Sequence, residues 1–174
     1  MSKKLLYIDY LSESGHISFN KNFIKEISEL DLNIDYIFKA SYSSKLGIKD
    51  NILTIPNKFY SSSNGFITRL NYIKILRFIN QKINLNNYDY VLLSSYEEIS
   101  LYFSRIKTKL ILLNHNNLEG LGNSIKRFFL KKNSNSNYNI VFEKYMIDYL
   151  EKFKIKNLFK ISHGLPAPID QTII

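Results

Sequence analysis

The sequence lacks cysteine, tryptophan and any long apolar run. Because none of its 174 residues is cysteine, disulfides and thiolate metal sites are excluded, and a reducing compartment fits. No apolar run approaches the roughly 18 residues that a membrane-spanning helix needs. The N-terminal run is short, contains Asp9 and has no small-residue cleavage site after it, which predicts a strand and not a signal peptide. We therefore expect a soluble cytoplasmic protein, with attachment to the inner face of the cell membrane as an open alternative.

Several motifs of nucleotide and hydrolase chemistry are missing. Walker A is absent, as is a GxGxxG loop after the first predicted strand. Ser94 follows a predicted strand, but the GxSxG motif of a hydrolase nucleophile is absent. The three histidines are far apart in sequence, without i, i+4 spacing, and no carboxylate is expected beside them: His16, His115 and His163. No metal site is therefore predicted, and nicotinamide-dependent or ATP-hydrolysing activity lacks its expected loop.

The composition indicates one folded, basic domain. Hydrophobic residues make up 45% of the chain, enough for a core in a chain of this length. The formal net charge is +9, which suits nucleic acid, anionic lipid or a phosphorylated ligand. A bias towards lysine, with the lysines solvating the surface, explains the charge equally well, and both interpretations stay open.

The stretch from residue 3 to residue 19 predicts the opening of a βαβ unit. An apolar strand over residues 5–8 runs into a polar turn that ends in Gly15 and His16. Gly15 would let the backbone approach a ligand closely, and the N–H groups that begin the next helix would bind a phosphate or carboxylate. The helix is predicted to bury one face, made of Phe19, Phe23, Ile27 and Leu30.

Strands and helices alternate along the rest of the chain. Further strands are predicted over residues 33–38, 52–55, 89–94, 110–113, 139–142 and 158–161, and further helices over residues 66–83, 97–105, 121–132 and 144–154. Residues 39–50, 57–65 and 133–137 are predicted to be loops. The pattern predicts an α/β, Rossmann-like parallel sheet of about six or seven strands with helices on both faces. The domain would span residues 1–165, and residues 166–174 would begin an interdomain linker.

The helix over residues 66–83 has a predicted core face and a predicted solvent face. Helical spacing places on the core face Ile67, Leu70, Ile73, Leu76, Ile79 and Ile83. The solvent face would carry Arg69, Lys74, Arg77 and Lys82.

Four short segments carry a resemblance to a known family. They are the turn at Gly15-His16, the strand that ends in Asn114-His115-Asn116, the segment 142–145 and the final ISHGLP at residues 161–166. With the order of elements, they resemble the N-terminal domain of GT-B glycosyltransferases, nearest to the retaining, nucleotide-sugar-dependent group that builds capsular and lipopolysaccharide glycans. Asn116 stands where that group has an acidic residue, and Glu143 where it has serine.

The resemblance implies roles for particular residues. His115 would be catalytic, Gly15 and His16 would bind the donor diphosphate, and the acceptor rim would be formed by Ser94, Tyr96 and Asn116. No metal or other cofactor is implied. From the residues alone, His115 could equally be a hydrogen-bonded residue that ends a strand, and His16 a loop residue without a direct role.

The resemblance also implies partners. The nucleotide-sugar donor would bind mostly through a C-terminal domain, and the acceptor would be a glycan or a polyprenyl-linked saccharide. Because that C-terminal domain is not in this sequence, the chain would be one domain of a longer enzyme or half of a split enzyme, and inactive alone.

A basic aromatic segment lies within the predicted helix over residues 121–132. Lys126, Arg127, Phe128 and Phe129 fit a helix that lies in an anionic membrane interface. A core helix with lysines on its wet face is the alternative.

Two other functions compete with glycosyl transfer. A non-enzymatic nucleotide- or nucleic-acid-binding α/β module fits the charge of +9, but the basic residues form no single tract and no nucleic-acid-binding motif appears. A flavodoxin-like regulatory domain would need a cluster of acidic residues, whereas Asp9 is the only acid at the end of the first strand.

Overall fold

The protein folds around one seven-stranded parallel sheet. The computed structural model describes residues 2–10, 16–60, 65–94, 108–114 and 138–161. The strands are β1 (Lys3–Asp9), β2 (Leu32–Lys39), β3 (Ile52–Ile55), β4 (Tyr90–Leu93), β5 (Lys109–Asn114), β6 (Tyr138–Val141) and β7 (Leu158–Lys160). They lie in the order β3-β2-β1-β4-β5-β6-β7, and every neighbouring pair is parallel. The predicted α/β, Rossmann-like fold is therefore confirmed.

Helices cover both faces of the sheet. The described α-helices are α1 (His16–Ser28), α2 (Ala40–Leu46), α3 (Gly65–Lys82) and α4 (Lys144–Lys152). One core layer lies between the sheet and α3 and α4, and includes Ile75, Ile79 and Leu150. The other layer lies between the sheet and α1 and α2, and includes Ile27 and Tyr42. The central strands are buried on both sides, which explains why they read as continuous apolar runs.

The prediction of a loop over residues 39–50 is wrong, because α2 lies within it. Its sequence, ASYSSKL, is rich in serine, which has modest helix propensity. Tertiary contacts form the helix instead: Tyr42 packs on Phe38 with ring centroids 6.0 Å apart, and the Asn57 side chain accepts from the Ser41 N–H at 3.1 Å. Gly47 ends α2 with a φ of 73°, a left-handed conformation that favours glycine.

The predicted core faces of α1 and α3 also need correction. Ile27 is buried as predicted, but α1 ends at Ser28, and Leu30 lies beyond it with 55% of its surface exposed. On α3, the residues Ile67, Leu70 and Ile73 are 43–44% exposed, although they were predicted to pack in the core. Leu76 and Ile79 are buried as predicted, and Asn71 and Ile75 complete the buried face of α3. The aliphatic residues of α3 therefore lie both on its buried face and on part of its exposed surface.

Some predictions fall on residues that the structure does not describe. These are the helices over residues 97–105 and 121–132, the loop over residues 133–137 and the linker from residue 166. They stay predictions.

Candidate functional site at the carboxyl edge of the sheet

The strand order places a crevice between the carboxyl ends of β1 and β4. The chain builds the sheet outwards from β1 to β3, then crosses to the other side of β1 and continues with β4. In open parallel sheets, ligands bind at this reversal point, outside the carboxyl ends of the strands. Asp9 ends β1, and Ser94 directly follows β4, with its N–H donating to the Ile8 carbonyl at 2.9 Å. These two residues therefore form the floor of the crevice.

Asp9 is a fully buried carboxylate that Asn20 holds in place. The Asn20 side-chain amide donates to Asp9 Oδ2 at 2.6 Å and also lies 3.0 Å from the Tyr42 hydroxyl, which accepts. The Asn20 carbonyl oxygen accepts from the Tyr7 hydroxyl. Asn20 is itself fully buried, and its donation to Oδ2 orients the Asp9 carboxylate. Buried charges are costly unless polar partners compensate them, so the arrangement depends on Asn20.

The tyrosines around Asp9 stay protonated at neutral pH. Burial raises the pKa of Tyr7, and the nearby Asp9 charge raises it further, while the Ser94 hydroxyl donates to Tyr7 and opposes the shift. Burial, with a smaller contribution from Asp9, raises the pKa of Tyr42 to about 12. Burial and the same carboxylate also raise the pKa of Tyr60, whose hydroxyl donates to the Tyr10 carbonyl at 2.5 Å. The formal charge of the crevice floor is therefore set by Asp9 and by its neighbour His16.

His16 pairs with Asp9 at the mouth of the crevice. It is the first residue of α1, and Asn20 stands one turn later on the same face, so both side chains reach Asp9. His16 Nδ1 is buried and lies 3.6 Å from Asp9 Oδ2, whereas 29% of the His16 side chain is exposed. The exposed part therefore belongs to other atoms of the side chain. The expectation that no carboxylate lies beside a histidine is wrong for His16.

Such a pair has a defined chemical capacity. When a carboxylate faces one imidazole nitrogen, it fixes the tautomer and stabilises the imidazolium, which leaves the other nitrogen to take a proton. The distance of 3.6 Å is longer than a hydrogen bond, but catalytic contacts are often long before substrate binds. The Asp9–His16 pair can therefore act as a general base.

The next strand along the edge contributes a second polar position. Asn114 ends β5 and is buried, and its side-chain amide donates to the Ile140 carbonyl at 3.1 Å. Among the residues that the structure describes, its side-chain oxygen has no hydrogen-bond partner. That oxygen is a buried, unsatisfied acceptor at this edge.

The structure brings together some of the predicted site residues. His16 and Ser94 both lie at the carboxyl edge and both contact the Asp9 cluster. The other predicted positions lie outside the described residues: Gly15, Tyr96, His115 and Asn116 at the site, and Lys126, Arg127, Phe128 and Phe129 on the basic segment. Their roles stay predictions.

Sequence reasoning missed Asp9, Asn20 and Tyr42. A usable signal existed for Asp9, because an acid that ends an apolar strand beside the reversal point lies at the binding edge. None existed for Asn20 and Tyr42, which meet Asp9 only after α1 and α2 pack on the sheet.

The described part of the chain has neither a cluster of metal ligands nor a membrane-spanning helix. Among those residues, no group of three or more histidine, cysteine or acidic side chains could hold a metal ion. None of the helices described is long and apolar enough to cross a membrane.

Comparison with protein-family models and with curated proteins finds no match to this chain.

Proposed function

We propose that this chain is the acceptor-binding domain of a glycosyltransferase that moves a sugar from a nucleotide sugar to a glycan or lipid-linked acceptor. The observation that carries the proposal is the Asp9–His16 pair at the reversal point of the sheet. The resemblance of the short segments at residues 15–16, 114–116, 142–145 and 161–166 to GT-B enzymes supports glycosyl transfer. The base-assisted single displacement proposed here inverts the anomeric carbon, so it departs from the retaining group that these segments resemble most.

Glycosyl transfer needs a hydroxyl oxygen to attack the anomeric carbon of the donor sugar. In the proposed reaction, the other ring nitrogen of His16, Nε2, takes the proton of the acceptor hydroxyl as the new carbon–oxygen bond forms. The bond from the anomeric carbon to the nucleoside diphosphate breaks, and the diphosphate leaves with the electron pair. Asp9 stabilises the imidazolium that forms, and general-base catalysis of this kind contributes about 10²–10⁴-fold in rate.

The charge of the crevice favours a neutral acceptor. Asp9 carries the negative charge at the floor, the neighbouring tyrosines are neutral, and α1 already has this carboxylate near its N-terminus. A helix N-terminus stabilises one nearby anion, so a phosphate bound against Asp9 would meet a like charge. The hydroxyl groups of a sugar avoid that repulsion. The donor diphosphate is therefore assigned to a C-terminal donor-binding domain, and this proposal does not use the diphosphate contacts that the resemblance implies for Gly15 and His16.

The proposal predicts selective binding of saccharides at this edge. Methyl glycosides of hexoses and N-acetylhexosamines, added at millimolar concentration to ¹⁵N-labelled protein, should shift the backbone amides of Asp9, His16 and Ser94. The Leu30 amide, at the opposite end of α1, serves as the internal control and should not move.

A nucleotide titration separates the proposal from its rival. UDP and GDP without a sugar should leave the Asp9 and Ser94 amides unchanged. If the nucleotides shift these amides and the glycosides do not, the chain is a nucleotide-binding module, the function that its charge of +9 otherwise suits.

A further inference from the structure

Helix α3 presents an apolar stripe to solvent. Ile67, Leu70 and Ile73 are each 43–44% exposed, and they lie along about 9 Å of helix at a rise of 1.5 Å per residue. The opposite face of α3 is packed in the core through Ile75 and Ile79, so the stripe lies outside the buried face of the helix. A residue pattern that departs from what folding requires is most often found at a functional surface.

Basic side chains accompany the stripe. Lys74 and Arg77 are exposed and fall in the same sector of the helix, roughly 120° wide, at 3.6 residues per turn. The 18-residue sequence of α3 contains four basic residues and no acidic residue. The helix therefore combines a narrow aliphatic stripe with positive charge of one sign, on a chain whose net charge is +9.

We propose that this stripe, Ile67–Leu70–Ile73 with Lys74 and Arg77, docks the protein on an anionic lipid surface. An interfacial helix buries its apolar side chains at the boundary of headgroups and acyl chains while lysine and arginine contact anionic headgroups. The size of the stripe favours lipid over protein. Three side chains, each less than half exposed, offer far less than the roughly 800 Å² per partner that a stable protein interface buries.

The proposal is independent of glycosyl transfer, and its residues differ from those of the basic segment at residues 126–129. It places the lipid contact on a helix whose other face is fixed to the sheet. The long side chains of Lys74 and Arg77 can reach headgroups while the aliphatic groups insert.

Vesicle binding tests the proposal. The wild-type chain should co-sediment with vesicles of 30% phosphatidylserine and 70% phosphatidylcholine, and only weakly with pure phosphatidylcholine. The triple variant Ile67→Gln/Leu70→Gln/Ile73→Gln should lose at least tenfold in apparent affinity for the anionic vesicles. Glutamine is well tolerated in helices, and an unchanged melting temperature would show that the variant folds. Leu30→Gln, which alters an exposed aliphatic residue away from α3, should bind as wild type.

Charge-reversal variants test the role of the basic side chains, and several outcomes would contradict the proposal. Lys74→Glu/Arg77→Glu should reduce binding more at 50 mM salt than at 500 mM salt, because screening weakens exposed charges. Wild-type affinity in the triple glutamine variant would overturn the proposal, as would loss of binding in Phe128→Ser/Phe129→Ser alone. A wild-type chain that does not bind the anionic vesicles would also overturn it. So would a triple variant that changes only from dimer to monomer, because the stripe would then be an interface between copies of the chain.

Discussion

Replacing Asn20 with leucine is expected to lower the free energy of unfolding by at least about 3 kcal/mol. Asn20 donates to Asp9 and Tyr42 and accepts from Tyr7, and all four side chains are buried. Leucine fills a similar volume but satisfies none of these groups, so a buried carboxylate and two hydroxyls lose a partner. Leaving buried polar groups unsatisfied costs about 1–3 kcal/mol each, and more for a charge. Urea denaturation of both proteins measures the difference.

The matched control lies in the same helix. Asn22 is exposed on α1, and Asn22→Ala should change the free energy of unfolding by less than about 0.5 kcal/mol, as surface substitutions usually do. A loss as small in Asn20→Leu as in Asn22→Ala would mean that the Asp9 cluster does not contribute to stability. The combined variant Asp9→Asn/Asn20→Leu should be less destabilised than the two single losses together, because the uncompensated charge is gone.

Replacing His16 with alanine is expected to lower turnover by about 10²–10⁴-fold in the glycosyltransferase that carries this domain. The estimate is the usual contribution of a positioned general base. The melting temperature should change little, because His16 is partly exposed at the first position of α1 and is not part of either core layer. Turnover and melting temperature should be measured on the same preparations with a nucleotide sugar and its acceptor.

Double substitution distinguishes a catalytic pair from two independent residues. Asp9→Asn should also lower turnover, and His16→Ala/Asp9→Asn should be no slower than His16→Ala, because residues that act as a unit are not additive. Asn22→Ala is the control and should keep full turnover. Normal turnover by His16→Ala would remove this histidine from the chemistry and leave His115 as the candidate that the resemblance implies.

The sheet could be predicted from the sequence because its central strands are buried on both faces. Each of the seven strands contains an apolar run bounded by polar or turn residues, and the alternation with helices is enough to predict parallel order. The helix faces were harder to predict. Leu76 and Ile79 pack in the core while Ile67, Leu70 and Ile73 do not, because the aliphatic residues of α3 exceed one face and only packing selects among them.

Sequence reasoning could place a site residue only where that residue lies next to a predicted strand or helix. Ser94 and His16 adjoin predicted elements, so their place at the carboxyl edge followed from parallel order. The pairing of His16 with Asp9 could not be predicted. It depends on how closely α1 packs against β1, and the spacing of residues in the sequence does not give that distance. Asn20 lies on α1 and its partners lie on two other elements, β1 and α2, and such a cluster becomes visible only in three dimensions.

The tautomer of the His16 ring tests the base assignment most directly. Long-range ¹H–¹⁵N NMR of the wild-type chain, at a pH where the imidazole is neutral, reports which ring nitrogen carries the proton; His115→Gln and His163→Gln variants assign the signals. The proposal predicts a proton on Nδ1, facing Asp9, an unprotonated Nε2 that can accept the acceptor's proton, and loss of this preference in Asp9→Asn. A proton on Nε2 in the wild-type chain, unchanged in Asp9→Asn, would contradict the pairing and with it the proposed base.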